Sequence, residues 1–265
     1  MADMTWTTSI AEVQTDDVII RGHRLNDLIG AVSYTDMAFL LLRGDLPKAQ
    51  ESSMLDAIMV SVIDHGISPT SIIARTLTSC GTPMQASLAG AMLSIADWHG
   101  GSGEELARLL TETAEKRGGT EPEGAGPSGG LEQACDHLIA ERKRQKAQIP
   151  GYGHPQHVEG DPRATRLLDL ARELDVYGPY SELLGLLGER LALATGREVL
   201  RAPNITGAMA SILLDLGFPW QSLRGFVIAS RSLGLTAHIV EELEQGNRWR
   251  HSPASDIEYT GPQPQ

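Results

Sequence analysis

Eight histidines are spread through the chain, and four adjoin a glycine: Gly22-His23, His65-Gly66, His99-Gly100 and Gly153-His154. Glycine enters the left-handed backbone region without steric cost, so a helix that ends at such a pair can turn sharply and project the imidazole into a cleft. A lone His–Gly pair serves equally as a helix C-terminal cap against the dipole. More specific is the segment Ile149-Pro150-Gly151-Tyr152-Gly153-His154, followed by Asp161-Pro162-Arg163. Its glycines and proline make a tight turn with backbone amides to offer, and Arg142, Lys143, Arg144 and Lys146 stand directly before it. A basic run beside a glycine turn suits phosphate groups. The spacing of His154 and His157 could open a metal site, but no thiolate or carboxylate completes it, and no metal is expected.

Placing these residues is the task of helices. Only Val18-Ile19-Ile20 reads as a strand, whereas long segments repeat apolar residues at three- and four-residue spacing. Met84, Leu88, Ala91, Met92 and Ile95 form one stripe with small residues between them, which predicts a closely packed helix over 84–98. The same pattern predicts helices over 35–42, 48–65, 68–78, 103–117, 131–147, 164–174, 180–194, 205–216 and 221–245. Pro219 precedes the last of these and Gly246 follows it. Residues 118–130, GGTEPEGAGPSGG, hold too little apolar surface to order themselves and read as a mobile loop. The polar, proline-broken tail after Gly246 is expected to run over a surface, its own or a partner's.

Composition narrows the function classes. With 265 residues, 41% of them hydrophobic and 21% charged, the chain is that of a globular protein with one large domain or a main domain and a lobe. The net charge of −12 disfavours nucleic acid and anionic membranes as partners, so an anionic ligand must be met by local arginine clusters. There is no apolar run of membrane-spanning length and no signal-peptide pattern at the N-terminus, so a cytoplasmic setting is expected. Cys80 and Cys135 have no partner motif, and neither a disulfide nor a zinc site is indicated.

Several motifs in order then point to a family. They are Gly44-Asp-Leu-Pro47, Asp64-His65, Trp98-His99-Gly-Gly101, Pro150-Gly-Tyr-Gly-His154 with Asp161-Pro-Arg163, Pro203-Asn-Ile-Thr206, Asp215-Leu-Gly-Phe-Pro219, Ser230-Arg231 and Glu258-Tyr-Thr-Gly-Pro262. From about Val18 to Pro262 the chain resembles the citrate synthase superfamily, and in its brevity the citryl-CoA lyase branch. The resemblance implies an all-α fold, with a large helical domain of residues 1–154 and 204–265 and a small lobe of 155–203. It also implies a CoA-dependent carbon–carbon lyase or synthase acting on a short polycarboxylate or related acyl-CoA.

By the same resemblance His99 donates to the thioester carbonyl of acetyl-CoA and His154 polarises the carbonyl of the second substrate, both stabilising developing oxyanions. His65, Arg163 and Arg231 fall where the family holds carboxylates, work that suits the arginine fork. Coenzyme A, as acyl-CoA substrate, is expected at Pro150, Gly151, Tyr152 and Gly153, with Arg197 and the basic run supplying cations. Arg248 and Arg250 fall near the place where the family reaches into a neighbouring subunit's site. Arg250 is the substrate-binding candidate of the two, and a homodimer or higher homo-oligomer is implied. One position departs from the pattern: Thr206 stands where the family places its catalytic aspartate, and a hydroxyl is far too weak a base for that proton transfer. A thioester hydrolase or decarboxylase on the same scaffold, or a non-catalytic CoA- or carboxylate-binding homologue, therefore stands beside the lyase or synthase reading.

Overall fold

The structure, a computed structural model, describes residues 6–116, 129–153 and 160–263. The expected strand is present as β2 (Val18–Ile20), in the middle of a small antiparallel sheet between β1 (Ala11–Val13) and β3 (His23–Arg24). Ala11 pairs with Ile20 and Ile20 with His23. The sequence Ala-Glu-Val of β1 and the two residues of β3 carry no strand pattern, so pairing alone specifies them. The β1–β2 turn is tied by Asp17, whose carboxylate accepts from Val18 N at 2.8 Å and pairs with Arg24 at 3.0 Å.

The other regular elements among the described residues are helices, as the periodicity predicts for most of them. The helices in chain order are α1 (Leu25–Leu28), α2 (Tyr34–Leu42), α3 (Ala49–Ser61), α4 (Pro69–Ser79), α5 (Met84–Met92), α6 (Ser102–Lys116), α7 (Gly129–Arg144), α8 (Pro162–Glu173), α9 (Pro179–Thr195), α10 (Ile205–Asp215) and α11 (Leu223–Gln245). Their ends are encoded locally: Ser33 and Asp36 form a capping box on α2, Asp161 and Asn204 cap α8 and α10, and left-handed Gly196 and Gly246 close α9 and α11. Among the described residues no helix is long and apolar enough to cross a membrane.

Two predicted helices are shorter than the apolar pattern suggests. α3 stops at Ser61 rather than continuing to 65, because the chain turns at Val62 and reaches left-handed Gly66. α5 stops at Met92 rather than 98, where a tight turn with left-handed Gly100 takes over. Ile95 stays buried in that turn, so the stripe outlasts the helix. Residues 118–128, most of the segment read as a mobile loop, lie outside the described residues, as does 117 at the end of the helix expected over 103–117; 129 and 130 open α7.

α10 is the axis of the core. Nearly all of its residues are buried, from Ile205 to Leu214, with α6, α8 and α9 packed around it, so it is apolar on every side. Asp215 at its C-terminus reaches outward and caps α9, accepting from the backbone N–H groups of Gly178 (3.0 Å), Tyr180 (2.8 Å) and Ser181 (3.0 Å) and from Ser181 Oγ (2.6 Å). Burial nonetheless holds its carboxyl above the ordinary value. Phe39, Phe218 and Phe226 form an aromatic chain with centroids 4.7 and 4.8 Å apart, linking α2 to α11. A second apolar cluster, Ala74, Ala91, Leu235 and Ile239, joins α4, α5 and α11.

Candidate active site

The turns that follow both shortened helices carry histidines. His99 lies in the turn between α5 and α6, closed by Ala96 N donating to His99 O (3.0 Å) and His99 N to Ala96 O (2.9 Å). Its Nε2 is 3.4 Å from Oγ1 of Thr70, a buried hydroxyl in the first turn of α4. Burial pulls the pKa of His99 below the ordinary histidine value, and the charges of Arg231 and His65 push it the same way. At neutral pH the ring is therefore uncharged, a form with one N–H to donate.

His65 occupies the turn between α3 and α4. Asp64 shapes that turn, accepting from Gly66 N at 2.7 Å and from Nε2 of His238 on α11 at 3.1 Å. Arg231, also on α11, is buried and donates from Nε to Val62 O at 3.0 Å. Burial and then the charge of Arg163 act to lower its pKa, while Asp64 opposes them. Its remaining guanidinium nitrogens have no hydrogen-bond partner among the described residues. His99 and Arg231 thus lie near enough to His65 and Arg163 to feel their charges, which gathers two histidines and two arginines in one region.

Arg163 comes from the first turn of α8. Asp161, the cap of that helix, holds it as a fork, with Nε at 3.0 Å and Nη2 at 2.9 Å, and also accepts from Ile205 N at 3.0 Å. One buried carboxylate thereby ties the start of α8 to the start of α10. Burial works against its ionisation, but the bonds from Arg163 and Ile205 outweigh this and lower its pKa. A depressed carboxyl stabilises the fold above the ordinary carboxylate range and loses that contribution as pH falls through it. Asp161→Asn is expected to cost about 1.5–3 kcal/mol at pH 7 and progressively less towards pH 3, read from urea midpoints across that range. A penalty that is the same at both ends would assign Asp161 no charge-dependent role.

Thr206 lies in the first turn of α10. Asn204 caps that turn, its Oδ1 accepting from Thr206 N (3.0 Å) and Gly207 N (3.2 Å) and its Nδ2 donating to Gly153 O (2.7 Å). The Thr206 methyl faces Gly103 of α6, where an added Cβ would come within 3.2 Å of it. The glycine loop is seated on this same helix start. A Cβ on Gly151 would lie 3.1 Å from the Gly207 Cα and 2.4 Å from Leu106 Cδ2, and one on Gly207 would lie 2.6 Å from Gly151 O. These glycines thus allow backbone to meet backbone, a use distinct from offering amides to phosphate.

Pro150 and Gly153 flank that contact. Tyr152 is buried and donates its hydroxyl to Leu184 O at 2.6 Å, so the ring anchors the loop to α9. Within the basic run, Arg142 pairs with Glu105 at 2.7 Å while Lys143, Arg144 and Lys146 are exposed. Arg197, just past the end of α9, is exposed too. Arg250 pairs with Glu242, a buried carboxylate that also holds Arg75 at 2.7 Å, and its backbone N donates to Ser79 Oγ at 2.9 Å, fastening the tail to α4 of its own chain. Arg248 is exposed beside it. His154, together with 155–159, lies outside the described residues. No cluster of three or more metal-ligating side chains occurs among the described residues.

Thr70 and His238 have no signal in the sequence, because they find their partners across the fold, whereas Asp64 and Asp161 stand out in it only as neighbours of His65 and Arg163.

In structure the chain is similar to citryl-CoA lyase from Hydrogenobacter thermophilus, with 34% identity, 98% of this chain and 96% of that one covered and a TM-score of 0.85. The ATP citrate lyase of Methanothrix soehngenii, solved with citrate and coenzyme A, shares the fold at 22% identity and a TM-score of 0.80, covering 99% of this chain and 43% of that one. In sequence it is 24% identical to the citrate synthase of Heyndrickxia coagulans over 83% of this chain and 55% of that protein. The chain spans about half the length of the curated relatives it matches. The family model for the citrate synthase C-terminal domain matches residues 50–252, a stretch that includes both histidine turns, the glycine loop and Arg231, and the chain belongs to the citrate synthase family.

Proposed function

We propose that the protein makes or breaks a carbon–carbon bond between a CoA thioester and a short polycarboxylate, with cleavage of citryl-CoA to acetyl-CoA and oxaloacetate as the reference reaction. The convergence of His65, His99, Arg163 and Arg231 carries this reading. In cleavage the hydroxyl proton of citryl-CoA leaves, the new carbonyl forms, the carbon–carbon bond breaks and its electrons pass to the thioester as an enolate, which then takes up a proton. The uncharged His99 ring suits donation to the thioester oxygen as that negative charge grows. His154 would serve the carbonyl of the second product, and His65, Arg163 and Arg231 would hold its carboxylates. The CoA would lie along Pro150, Gly151, Tyr152 and Gly153, with Lys143, Arg144 and Arg197 near its phosphates. Similarity to a citryl-CoA lyase over nearly the whole of both chains supports the choice of substrate.

Residues 160–203, whose helices α8 and α9 pack against α10, would wall these ligands on one side and help to exclude water. A homodimer fits the exposed apolar residues Leu233, Val240 and Leu243 on α11 and the neighbouring Arg248; light scattering that shows a monomer would remove it. Thr206, with no carboxylate at its position, gives weight to a second reading, hydrolysis or decarboxylation of an acyl-CoA, in which no aspartate base is needed.

Mass spectrometry of the purified protein with citryl-CoA, and with acetyl-CoA plus oxaloacetate, tests the proposal. No turnover in either direction would overturn it. Arg231→Lys is expected to weaken citrate binding by about ten- to a hundredfold in calorimetry, because an ammonium cannot reproduce the bidentate fork. Unchanged affinity would give Arg231 a structural role through Val62.

A further inference from the structure

The turn that carries His99 has little of its own to hold it. Besides the Ala96–His99 pair it has Gly101 N donating to Ala96 O at 3.0 Å, and Trp98, next to the histidine, is fully exposed at 102%. What fixes the turn from outside is Arg224, in the first turn of α11. Its Nη2 donates to Asp97 Oδ1 at 2.7 Å, and its Nε lies 3.0 Å from Glu104 Oε2 in the first turn of α6. A Cβ added to Gly101 would stand 3.0 Å from the Arg224 Cζ, so the guanidinium rests on bare backbone. The Nε is buried against the Glu104 carboxylate, so a single guanidinium bridges the His99 turn and the start of α6, an arrangement that calls for a reason.

The reason lies along α11. Arg224, Val227, Arg231, Gly234 and His238 recur at helical spacing and share one face. Val227 meets the His99 turn, where a Cβ on Gly100 would be 3.4 Å from its Cγ1. Arg231, Gly234 and His238 meet the His65 turn, at Val62 O, at Ile63 O and at Asp64 in succession. One rigid helix face therefore registers both histidine turns against each other. We propose that Arg224 is a positioning residue for the reaction proposed above: through Asp97, Glu104 and Gly101 it locks the His99 turn in register with Arg231 and the His65 turn. Arg224 makes no direct contact with His99 and acts only through the turn.

Asp97→Asn is the most informative variant, because the Asp97 side chain is 78% exposed and its change disturbs no core. Removing a negative charge would by itself lower the pKa of His99, whereas releasing the turn into water would raise it towards the ordinary histidine value. The two effects have opposite signs, so an NMR titration of the His99 ring proton, assigned with His99→Gln, separates them. Asp97→Asn and the charge-conserving Arg224→Lys are both expected to raise it. Each should also lower kcat for citryl-CoA by about ten- to a hundredfold, while CoA affinity by calorimetry is unchanged. A His99 pKa that stays in place or falls in Asp97→Asn overturns the proposal, as does a loss of CoA affinity that matches the loss of kcat. If the unmodified protein does not turn over citryl-CoA, the proposed function fails, and the titration still judges the positioning role.

Discussion

Thr206→Asp is expected to speed exchange of the acetyl-CoA methyl protons with deuterated water by about 10²–10⁴-fold, the range general acid–base help supplies. The hydroxyl of Thr206 can make hydrogen bonds but cannot hold a proton taken from carbon at neutral pH. An aspartate there would be ionised, since it would sit in the first turn of α10, where the positive end of the helix dipole favours negative charge. For the same reason the variant should fold: acidic residues are favoured in a first turn, and the side chain would take the place of one already set between Asn204 and Gly103. NMR of the methyl signal in heavy water reads the step in isolation. Rapid exchange in the unmodified protein would show that another group already serves as base. A folded variant that binds acetyl-CoA and exchanges no faster would show that the site differs by more than one carboxylate, which favours hydrolysis, decarboxylation or simple ligand binding.

Removing the oxyanion donor should be nearly as costly. His99→Ala is expected to lower kcat on citryl-CoA by about 10²–10³-fold with CoA affinity almost unchanged, because a bond to a developing oxyanion strengthens chiefly in the transition state. The environment of His99 adds a sign to this. Burial, with the charges of Arg231 and His65, lowers its pKa, so the pH at which the ring changes from its neutral to its charged form should lie below that of a free histidine. Stopped-flow turnover across pH, compared between the unmodified protein and His99→Ala, checks both points. Equal rates would refute the assignment. His154→Ala is expected to behave in the same way if it polarises the second carbonyl.

Much of this was legible in the chain because the residues involved punctuate helices. His65 and His99 stand beside glycines in the turns after α3 and α5, and those glycines do adopt left-handed conformations. The helix ends themselves were harder to read. Val62 and Ile95 remain buried after the backbone has left the helix, so apolar spacing runs on through the turns that hold the histidines. Strands β1 and β3 were invisible because cross-strand pairing, not composition, defines them. The supports of the site were invisible for a related reason. Arg224 meets Asp97 across 127 positions and His238 meets Asp64 across 174, separations over which spacing carries no information. The glycine loop was read for its amides, whereas Gly151 is buried against Gly207 and its carbonyl accepts from Asn204 N at 2.9 Å.

That seam between Gly151 and Gly207 constrains how the protein can change over generations. A side chain at Gly207 would run into the Gly151 carbonyl at 2.6 Å, and one at Gly151, whose backbone is left-handed, would meet Leu106 at 2.4 Å and the Gly207 Cα at 3.1 Å, so either would press the loop away from the helix that carries Thr206, and the partner glycine has nothing left to remove. The two positions are therefore mutually constrained, while Thr206, one residue away, carries a half-buried side chain that faces Gly103 of α6 and lies outside the seam itself. New chemistry in this lineage would arise by changing the side chain at 206 on a platform that cannot itself drift.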